Sequence, residues 1–229
     1  MEELKRDSWE SSYSRRENFI YYPKEEVVKF LNRFVRKRTG TGSFDDILHP
    51  GQKLAGLDFG CGIGRQVVLM EEFGIAANGV DISATALAEA EKVYEFFLGK
   101  KPGEGTFRKL DGTALPFADR AFNIAVCDSV LDSMYFRLAK EIVTELDRTV
   151  KDMLFISLIA PVKNGKAEDT IVTEAHEADT VQSYYDEKRI EKLLEGSAWE
   201  VRWLNLVHET VPASGFENAR YHVVLKKRS

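Results

Sequence analysis

The chain has 229 residues, of which 44% are hydrophobic and 30% are charged. These proportions are ordinary for a globular domain and exclude a disordered, collagen-like or low-complexity chain. The formal net charge of −5 argues against nucleic acid as the main partner, because surfaces that bind nucleic acid are basic.

Signals for a membrane, for secretion or for a metal are not recognisable in the sequence. No run approaches the ~18–20 uninterrupted apolar residues of a membrane-spanning helix, and no apolar core follows the charged N-terminus. The two cysteines, Cys61 and Cys127, match no zinc or redox spacing, and no spaced set of His and Asp residues indicates a metal. We therefore expect a metal-free protein in the reducing cytoplasm, away from membranes.

The first fifty residues are more polar and aromatic than the rest of the chain. Pro23 favours the first turn of a helix, and apolar residues then recur at three- and four-residue steps from Val27 to Val35. Glycines and a proline interrupt the chain before the next apolar run. We interpret residues 1–50 as a helical N-terminal extension and residues 51–229 as a single globular domain.

From residue 54 onward, short apolar runs alternate with stretches that favour helices. This alternation predicts a mostly parallel sheet with helices on both faces, and the last two runs, which have no helix between them, should pair antiparallel. The predicted strands are 54–59, 77–82, 106–110, 122–127, 153–159, 201–207 and 221–225, and the predicted helices are 65–73, 84–98, 135–150 and 184–194. The polar stretch 163–182 is predicted to be a surface loop and a candidate lid.

A glycine-rich turn is the most informative feature of the sequence. Residues 57–65 read Leu-Asp-Phe-Gly-Cys-Gly-Ile-Gly-Arg, a predicted strand followed by Gly-x-Gly-x-Gly and a predicted helix. Glycines let a ligand approach the main chain, and the free amides of a helix N-terminus favour an anionic group. Asp81 ends the second predicted strand, where an acid can accept hydrogen bonds from both hydroxyls of a ribose. These features predict a nucleoside-bearing ligand.

The glycine spacing separates two classes of such ligands. Dinucleotide enzymes carry Gly-x-Gly-x-x-Gly, whereas here the third glycine comes one residue earlier and Asp58 precedes the turn. This stretch resembles motif I of the class I S-adenosylmethionine-dependent methyltransferases, which reads acid-x-Gly-x-Gly-x-Gly. Residues 110–117 and 127–131 resemble that family's segments after the third strand and at the end of the fourth. The resemblance covers about residues 54–160.

The resemblance implies a three-layer, Rossmann-like α/β fold whose seven-stranded, mostly parallel sheet has an antiparallel last strand. It also implies S-adenosylmethionine as the cofactor and S-adenosylhomocysteine as its product. The cofactor-binding residues predicted on this basis are Asp58, Gly60, Cys61, Gly62, Gly64, Arg65, Asp81, Ile82, Asp111, Gly112, Thr113 and Asp128.

Several of these residues carry a more specific expectation. Asp58 should organise the loop and meet the cofactor ammonium through water, and Asp128 should line the methionine end. Arg65 is a candidate for the cofactor carboxylate, with a solvated helix position as the alternative. Ile82 would pack on the adenine, or alternatively in the core. Asp111 would accept a hydrogen bond from the adenine amino group, with Gly112 allowing close approach.

Two tyrosines of the extension, Tyr13 and Tyr22, are candidates for a lid over the cofactor sulfonium, because aromatic faces attract cations. The alternative is that the aromatic residues of the extension pack it onto the core.

The catalytic residues are less clearly marked. His176 lies in the candidate lid loop with Glu174 and Glu177 beside it, which suits a general base with carboxylate support. Asp132 follows the fourth predicted strand, close to where the acceptor is expected, and Ser133 stands where the family often has a histidine. His176 and Asp132 are therefore the predicted catalytic residues.

We predict an S-adenosylmethionine-dependent methyltransferase (EC 2.1.1.-) that acts on an oxygen or nitrogen of a small-molecule acceptor, such as a sugar or sugar nucleotide. The acidic charge and the lack of a nucleic-acid module favour a small molecule. The alternatives are a tRNA or protein methyltransferase, an NAD-dependent oxidoreductase, and a non-catalytic nucleoside-binding protein of the same fold. The oligomeric state is not readable from the sequence.

Overall fold

The computed structural model describes residues 5–163, 165–173 and 179–228. Its N-terminal part contains helix α1 (Arg6–Ser14), helix α2 (Glu25–Phe30) with a π-helical continuation (Leu31–Val35), and a hairpin of strands β1 (Arg36–Gly40) and β2 (Ser43–Asp46). The sequence predicts the helices but not the hairpin, because β1 has no alternating apolar pattern. Instead, Arg36 holds the hairpin together: its Nε donates to Asp46 Oδ1 at 2.5 Å, and its guanidinium lies 5.5 Å from the ring centre of Phe44.

The remaining elements follow the predicted alternation of strands and helices. The strands are β3 (Ala55–Phe59), β4 (Ala76–Asp81), β5 (Phe107–Lys109), β6 (Phe122–Asp128), β7 (Val150–Ala160), β8 (Asp169–Ile171), β9 (Val181–Ser183), β10 (Trp199–Val211) and β11 (Phe216–Lys227). The helices are α3 (Arg65–Glu72), α4 (Ala84–Leu98), α5 (Phe136–Thr149) and α6 (Glu187–Leu194). A short antiparallel hairpin, β8–β9, occupies part of the stretch 163–182 that the sequence predicts to be a loop.

Seven strands form the central sheet in the order β10-β11-β7-β6-β3-β4-β5. The neighbours from β7 to β5 pair in parallel, whereas β11 pairs antiparallel with both β7 and β10. The predicted fold class, with its antiparallel last strand, is therefore confirmed.

Both faces of the sheet are covered, which explains why its central strands are apolar along their length. Every residue of β6 is buried. Ala125 and Cys127 join the core under α5 and α6, while Ile124 and Val126 join the core under α2, α3 and α4. Among the described residues, no helix is long and apolar enough to cross a bilayer.

Candidate active site

The carboxyl ends of β3, β4 and β6 meet at one edge of the sheet, where the chain order of the strands reverses. Ligands of open α/β sheets bind at such a point. A cavity of about 320 Å³ opens there. The N-terminal segment contributes Trp9, Tyr13, Asn18, Ile20 and Lys24 to its lining, the hairpin region contributes Val172, Thr180, Val181 and Gln182, and β11 contributes Arg220.

The glycine turn between β3 and α3 has a backbone that few other residues tolerate. Gly60 and Gly62 have φ angles of +69° and +51°, in the left-handed region that L side chains rarely adopt. The amides of Gly60 and Cys61 donate to the carbonyl of Val80 at 2.8 and 2.9 Å, which ties the turn to β4. A Cβ on Gly62 would lie 2.5 Å from Tyr13 Oη. The turn therefore needs glycine both for its backbone and for the close approach of α1.

Asp81 ends β4 beside this turn with 6% of its surface exposed. Its Oδ2 accepts from the Gly62 amide at 2.8 Å and its Oδ1 accepts from the Ser83 amide at 2.9 Å. Burial raises the pKa of the Asp81 carboxyl, against the lowering effect of these two hydrogen bonds. Each carboxylate oxygen has a second lone pair, so the side chain can still accept from two ligand hydroxyls.

Asp58, at the end of β3, is a buried acid with an unpartnered oxygen. Asp58 Oδ2 has no hydrogen-bond partner among the described residues, and neither has the buried Oε1 of Gln66. Burial raises the pKa of the Asp58 carboxyl well above its ordinary value, and the negative charge of Asp128 adds to the rise. Both side chains line the cavity. An ammonium group of a ligand would supply donors to these oxygens.

Asp128, at the end of β6, is the centre of a charged cluster. Its Oδ1 accepts from Lys24 Nζ at 3.1 Å and from Ser157 Oγ at 2.6 Å, and its Oδ2 accepts from Arg65 Nη2 at 3.1 Å. Burial by itself would raise the pKa of Asp128, but Lys24, Ser157 and Arg65 more than offset it and the pKa is lowered. For Lys24, burial lowers the pKa despite the attraction of Asp128. The carboxylate of Asp128 is thus held ionised between two cations.

Asp132 lies on a 3₁₀ turn (Leu131–Ser133) after β6 and is 3% exposed. Its Oδ2 accepts from the Ile159 amide at 2.8 Å and from Arg220 Nη1 at 2.6 Å. Its Oδ1 is buried and has no hydrogen-bond partner among the described residues. Asp132 and Arg220 both line the cavity.

Helix α1, whose Trp9 and Tyr13 line the cavity, is fastened to the α/β core by polar contacts. Glu10 Oε1 accepts from the amide of Thr85 at 3.2 Å and from the hydroxyl of the same residue. Arg6 Nη2 donates to the carbonyl of Asp111 at 2.8 Å. Burial acts to raise the pKa of Glu10, but hydrogen bonds from Ser83 and Thr85 offset it and the pKa is lowered. The carboxylate of Glu10 thus caps the N-terminus of α4 from another helix.

Most of the predicted site residues come together around the cavity. Those that line it are Tyr13, Asp58, Gly60, Cys61, Gly62, Arg65, Asp81, Ile82, Gly112, Asp128 and Asp132. Their roles toward a ligand remain predictions.

Four predicted residues are not part of the cavity lining that the described residues form: Gly64, Asp111, Thr113 and Tyr22. Gly64 precedes α3 with a φ of +81°. The Asp111 side chain is 80% exposed and lies 3.5 Å from Arg6 Nη2. Tyr22 is 75% exposed and contacts the Phe97 ring edge-on. His176 lies outside the described residues.

Sequence reasoning missed Lys24, Gln66, Arg220 and the hairpin residues of the cavity wall. Lys24 and Asp128 are 104 residues apart, and Asp132 and Arg220 are 88 residues apart. No local pattern marks such pairs. The one available signal for Arg220 was its place in the chain: it directly precedes the predicted strand 221–225, which was expected to pair near the end of the sheet. Among the described residues, no group of three or more His, Cys, Asp or Glu side chains is arranged to hold a metal ion.

Residues 57–153 match the model of a family described as a methyltransferase domain. The match falls within the stretch that resembles the class I methyltransferases. The matched stretch contains the glycine turn, Asp81, Asp128 and Asp132, so the methyltransferase domain supplies most of the charged residues around the cavity. The family predicted from the sequence is confirmed. No curated protein matches the chain in sequence.

Solved structures share the fold of this methyltransferase domain at low identity. An S-adenosylmethionine-dependent methyltransferase from Methanosarcina mazei is 20% identical, with 76% of this chain and 92% of that chain covered and a TM-score of 0.63. The 1,6-didemethyltoxoflavin-N1-methyltransferase of Burkholderia thailandensis, solved with 1,6-didemethyltoxoflavin and S-adenosylhomocysteine, is 13% identical, with 99% and 88% covered and a TM-score of 0.67. Magnesium protoporphyrin IX methyltransferase from Synechocystis PCC 6803, solved with S-adenosylmethionine, is 18% identical, with 77% and 71% covered and a TM-score of 0.57.

A methyltransferase domain of this class takes its methyl group from S-adenosylmethionine, which confirms the predicted cofactor. The residues around the cavity fit this molecule. Asp81 retains free lone pairs for ribose hydroxyls, and the unpartnered oxygens of Asp58 and Gln66 suit an ammonium.

Proposed function

We propose that this protein transfers the methyl group of S-adenosylmethionine to an oxygen or nitrogen atom of a small-molecule acceptor. The observation that carries the proposal is one cavity that joins two chemically different regions. The nucleoside-binding ends of β3 and β4 lie in it together with a second polar wall formed by Asp132 and Arg220. Donor and acceptor molecules would share this compartment, which is the arrangement that methyl transfer requires.

The partial enclosure of the cavity favours a small acceptor over a macromolecule. The N-terminal segment and the β8–β9 hairpin both contribute to its lining, so access to the wall is restricted. The acidic net charge agrees with this reading. Two structural relatives are named for small acceptors, 1,6-didemethyltoxoflavin and magnesium protoporphyrin IX, which is compatible with the same class of acceptor here.

S-adenosylmethionine supplies the methyl group as an electrophilic carbon on a sulfonium sulfur. In our proposal, Asp81 holds the ribose hydroxyls, Asp58 and Gln66 receive the ammonium, and Arg65 with Lys24 attracts the carboxylate. The N-terminal extension, residues 1–50, acts as the lid that excludes water, with Tyr13 placed against the glycine turn. Tyr22, which is exposed and outside the cavity lining, receives no role in this arrangement.

The proposed proton acceptor is Asp132. Its Oδ2 is fully used by the Ile159 amide and Arg220, which leaves Oδ1 at the cavity wall free to take a proton. A hydroxyl or amine acceptor must lose one proton for each methyl group it gains, and Asp132 Oδ1 would hold that proton before it leaves to water. His176 remains the second predicted base.

Calorimetric titration with S-adenosylmethionine, S-adenosylhomocysteine and NAD tests the proposal directly. We expect micromolar binding of the two sulfur nucleosides and no binding of NAD. Absence of sulfur-nucleoside binding would sink the proposal, and binding of NAD alone would favour the oxidoreductase. Release of S-adenosylhomocysteine during incubation with mixed small-molecule acceptors then distinguishes an enzyme from a non-catalytic binding protein.

A further inference from the structure

We infer that the Asp132–Arg220 pair selects an uncharged acceptor that carries a hydrogen-bond donor next to a hydrogen-bond acceptor, as the N–H and C=O of a heterocyclic lactam do. This inference rests on the proposed function and names the chemical class of its acceptor. It starts from the asymmetry of the ion pair.

Asp132 is bonded through one oxygen only. Its Oδ2 receives both the Arg220 guanidinium at 2.6 Å and the Ile159 amide at 2.8 Å. Its Oδ1 has no partner although the residue is 3% exposed and lines the cavity. A buried carboxylate oxygen without a donor costs free energy. The ligand that belongs here must therefore present an N–H or O–H group to Oδ1.

Arg220 supplies the complementary half of the recognition. A guanidinium has five N–H donors in a planar fork, and the described hydrogen bond of Arg220 uses one of them. Arg220 lines the cavity together with Asp132, so the remaining donors of its guanidinium are available to the same ligand. The wall thus offers a hydrogen-bond acceptor and a hydrogen-bond donor side by side. A lactam edge has the reverse order, N–H facing Oδ1 and C=O facing the guanidinium.

The charges of the wall disfavour an anionic acceptor. The positive charge of Arg220 is already matched by Asp132, and a carboxylate or phosphate would face the bare Oδ1 at close range. Lys24 and Arg65 share the single carboxylate of Asp128, but their spare positive charge lies where the cofactor carboxylate is proposed to bind. An anion would therefore gain little at this wall and would meet repulsion from Asp132.

Apolar side chains complete a slot for a flat ring. Strand β9 packs against the 3₁₀ turn that carries Asp132, and its Val181 lines the cavity together with Met134, Val172 and Ile20. Apolar walls with a few directed polar groups are typical of sites for small cyclic ligands. The apolar slot and the polar pair together fit a neutral heterocycle better than a sugar, because a sugar ring carries hydroxyl groups that the apolar slot would leave without partners.

The test is a titration of uracil, hypoxanthine and orotate by saturation-transfer NMR, with and without S-adenosylhomocysteine. Orotate is uracil with a carboxylate, so the pair isolates the effect of charge. The variant is Asp132→Asn. In the variant, the Ile159 amide and Arg220 both still donate toward the Oδ2 position, so the side-chain oxygen of the asparagine must lie there. Its NH₂ group then lies where the free oxygen Oδ1 was. The matched control is Asp147→Asn, because Asp147 also pairs with a cation, Lys227, and accepts a backbone amide, but lies outside the cavity lining.

We expect uracil or hypoxanthine to bind the wild type at least tenfold more tightly than orotate. Asp132→Asn should weaken that binding at least tenfold, and Asp147→Asn should change it by less than twofold. Tighter binding of orotate, no binding of either neutral probe, or unchanged binding in Asp132→Asn would overturn the inference. Binding of S-adenosylhomocysteine to Asp132→Asn checks that the variant is folded. If S-adenosylhomocysteine fails to bind the wild type, the proposed function fails, and the titration without it still decides the inference.

Discussion

The two ends of the cavity are built in different ways. At the cofactor end, residues 57–65 and Asp81 belong to one strand–helix–strand unit and contribute mainly backbone groups and a carboxylate. At the acceptor end, Asp132 and Arg220 come from two distant parts of the chain and act through side chains. A local unit can serve one common ligand, whereas a wall assembled from distant segments can change with the acceptor.

The acids around the cavity also differ in how they are held. Asp58 and Asp81 have raised pKa values because burial dominates, so the protonated form of both carboxyl groups is favoured. Asp128 has a lowered pKa because, although burial opposes it, Lys24 and its other partners dominate. The cofactor end therefore depends on its ligand to complete its charge balance, whereas Asp128 is balanced by the protein itself. The predictions below test this contrast, beginning with the largest expected effect.

Gly60→Ala should damage the cofactor end most. A Cβ at Gly60 would lie 2.4 Å from Val130 Cγ2, and the φ angle of +69° is unfavourable for alanine. Strain and overpacking together should cost ~2–4 kcal/mol in the free energy of unfolding, with loss of measurable S-adenosylmethionine binding. Urea denaturation and calorimetry measure both. Gly103→Ala is the control, since its nearest neighbour, Thr106 Oγ1, is 3.7 Å away. Equal behaviour of the two variants would contradict the strained-turn account.

Asp81→Ala should weaken S-adenosylmethionine binding at least tenfold, because a hydrogen bond to a charged group contributes ~1.5–3 kcal/mol. Asp111→Ala is the matched comparison. Its side chain is 80% exposed, so we expect less than a twofold change in calorimetric affinity. A tenfold loss in Asp111→Ala would instead restore the adenine contact that the sequence predicts. Unchanged affinity in Asp81→Ala would refute the ribose assignment.

Asp58→Asn should weaken cofactor binding and stabilise the free protein near neutral pH. Burial raises the pKa of Asp58, so the folded state holds its proton more tightly than the unfolded state. Stability is then greatest below the unfolded pKa of about 4 and falls as pH rises toward the folded pKa. In thermal melts at pH 4 and pH 7.5, the melting temperature of Asp58→Asn should exceed that of the wild type only at pH 7.5.

The same residue makes a prediction for binding. If the cofactor ammonium ionises Asp58, binding releases a proton, and the affinity of the wild type should rise with pH. Calorimetry in buffers of different ionisation enthalpy measures that proton release. Equal proton release by wild type and Asp58→Asn would show that another group is responsible.

Glu10→Gln should have the smallest effect. The carboxylate of Glu10 caps α4 through Thr85, and removal of its charge should cost about 1 kcal/mol or less. Because the folded pKa of Glu10 is lowered, this contribution is present above its unfolded pKa of about 4.3 and is lost as pH falls below it. Hydrogen exchange of α1 at pH 7 should increase, while Glu91→Gln at an exposed position of α4 should leave it unchanged. Equal exchange in both variants would contradict the capping role.

The sequence by itself determined the sheet, the cofactor end and the family. Strand and helix periodicity and the glycine turn are local signals, and each depends on residues within about one strand–helix–strand unit. The predicted helix 84–98 corresponds to α4 (Ala84–Leu98), whose N-cap Ser83 accepts a hydrogen bond from the Ala86 amide through its Oγ. Such signals survive in a single sequence because propensity, capping and backbone geometry act over a few residues.

Only the tertiary structure decided which distant side chains meet around the cavity. Lys24 reaches Asp128 and Arg220 reaches Asp132 because α2 and β11 pack beside β6 and β7, and nothing in the local sequence encodes those distances. The same holds for Asp111, which carries a family motif but has an exposed side chain. Ion pairs and buried, unpartnered oxygens depend on where distant segments meet. Their chemistry can therefore be read only once the chain is folded.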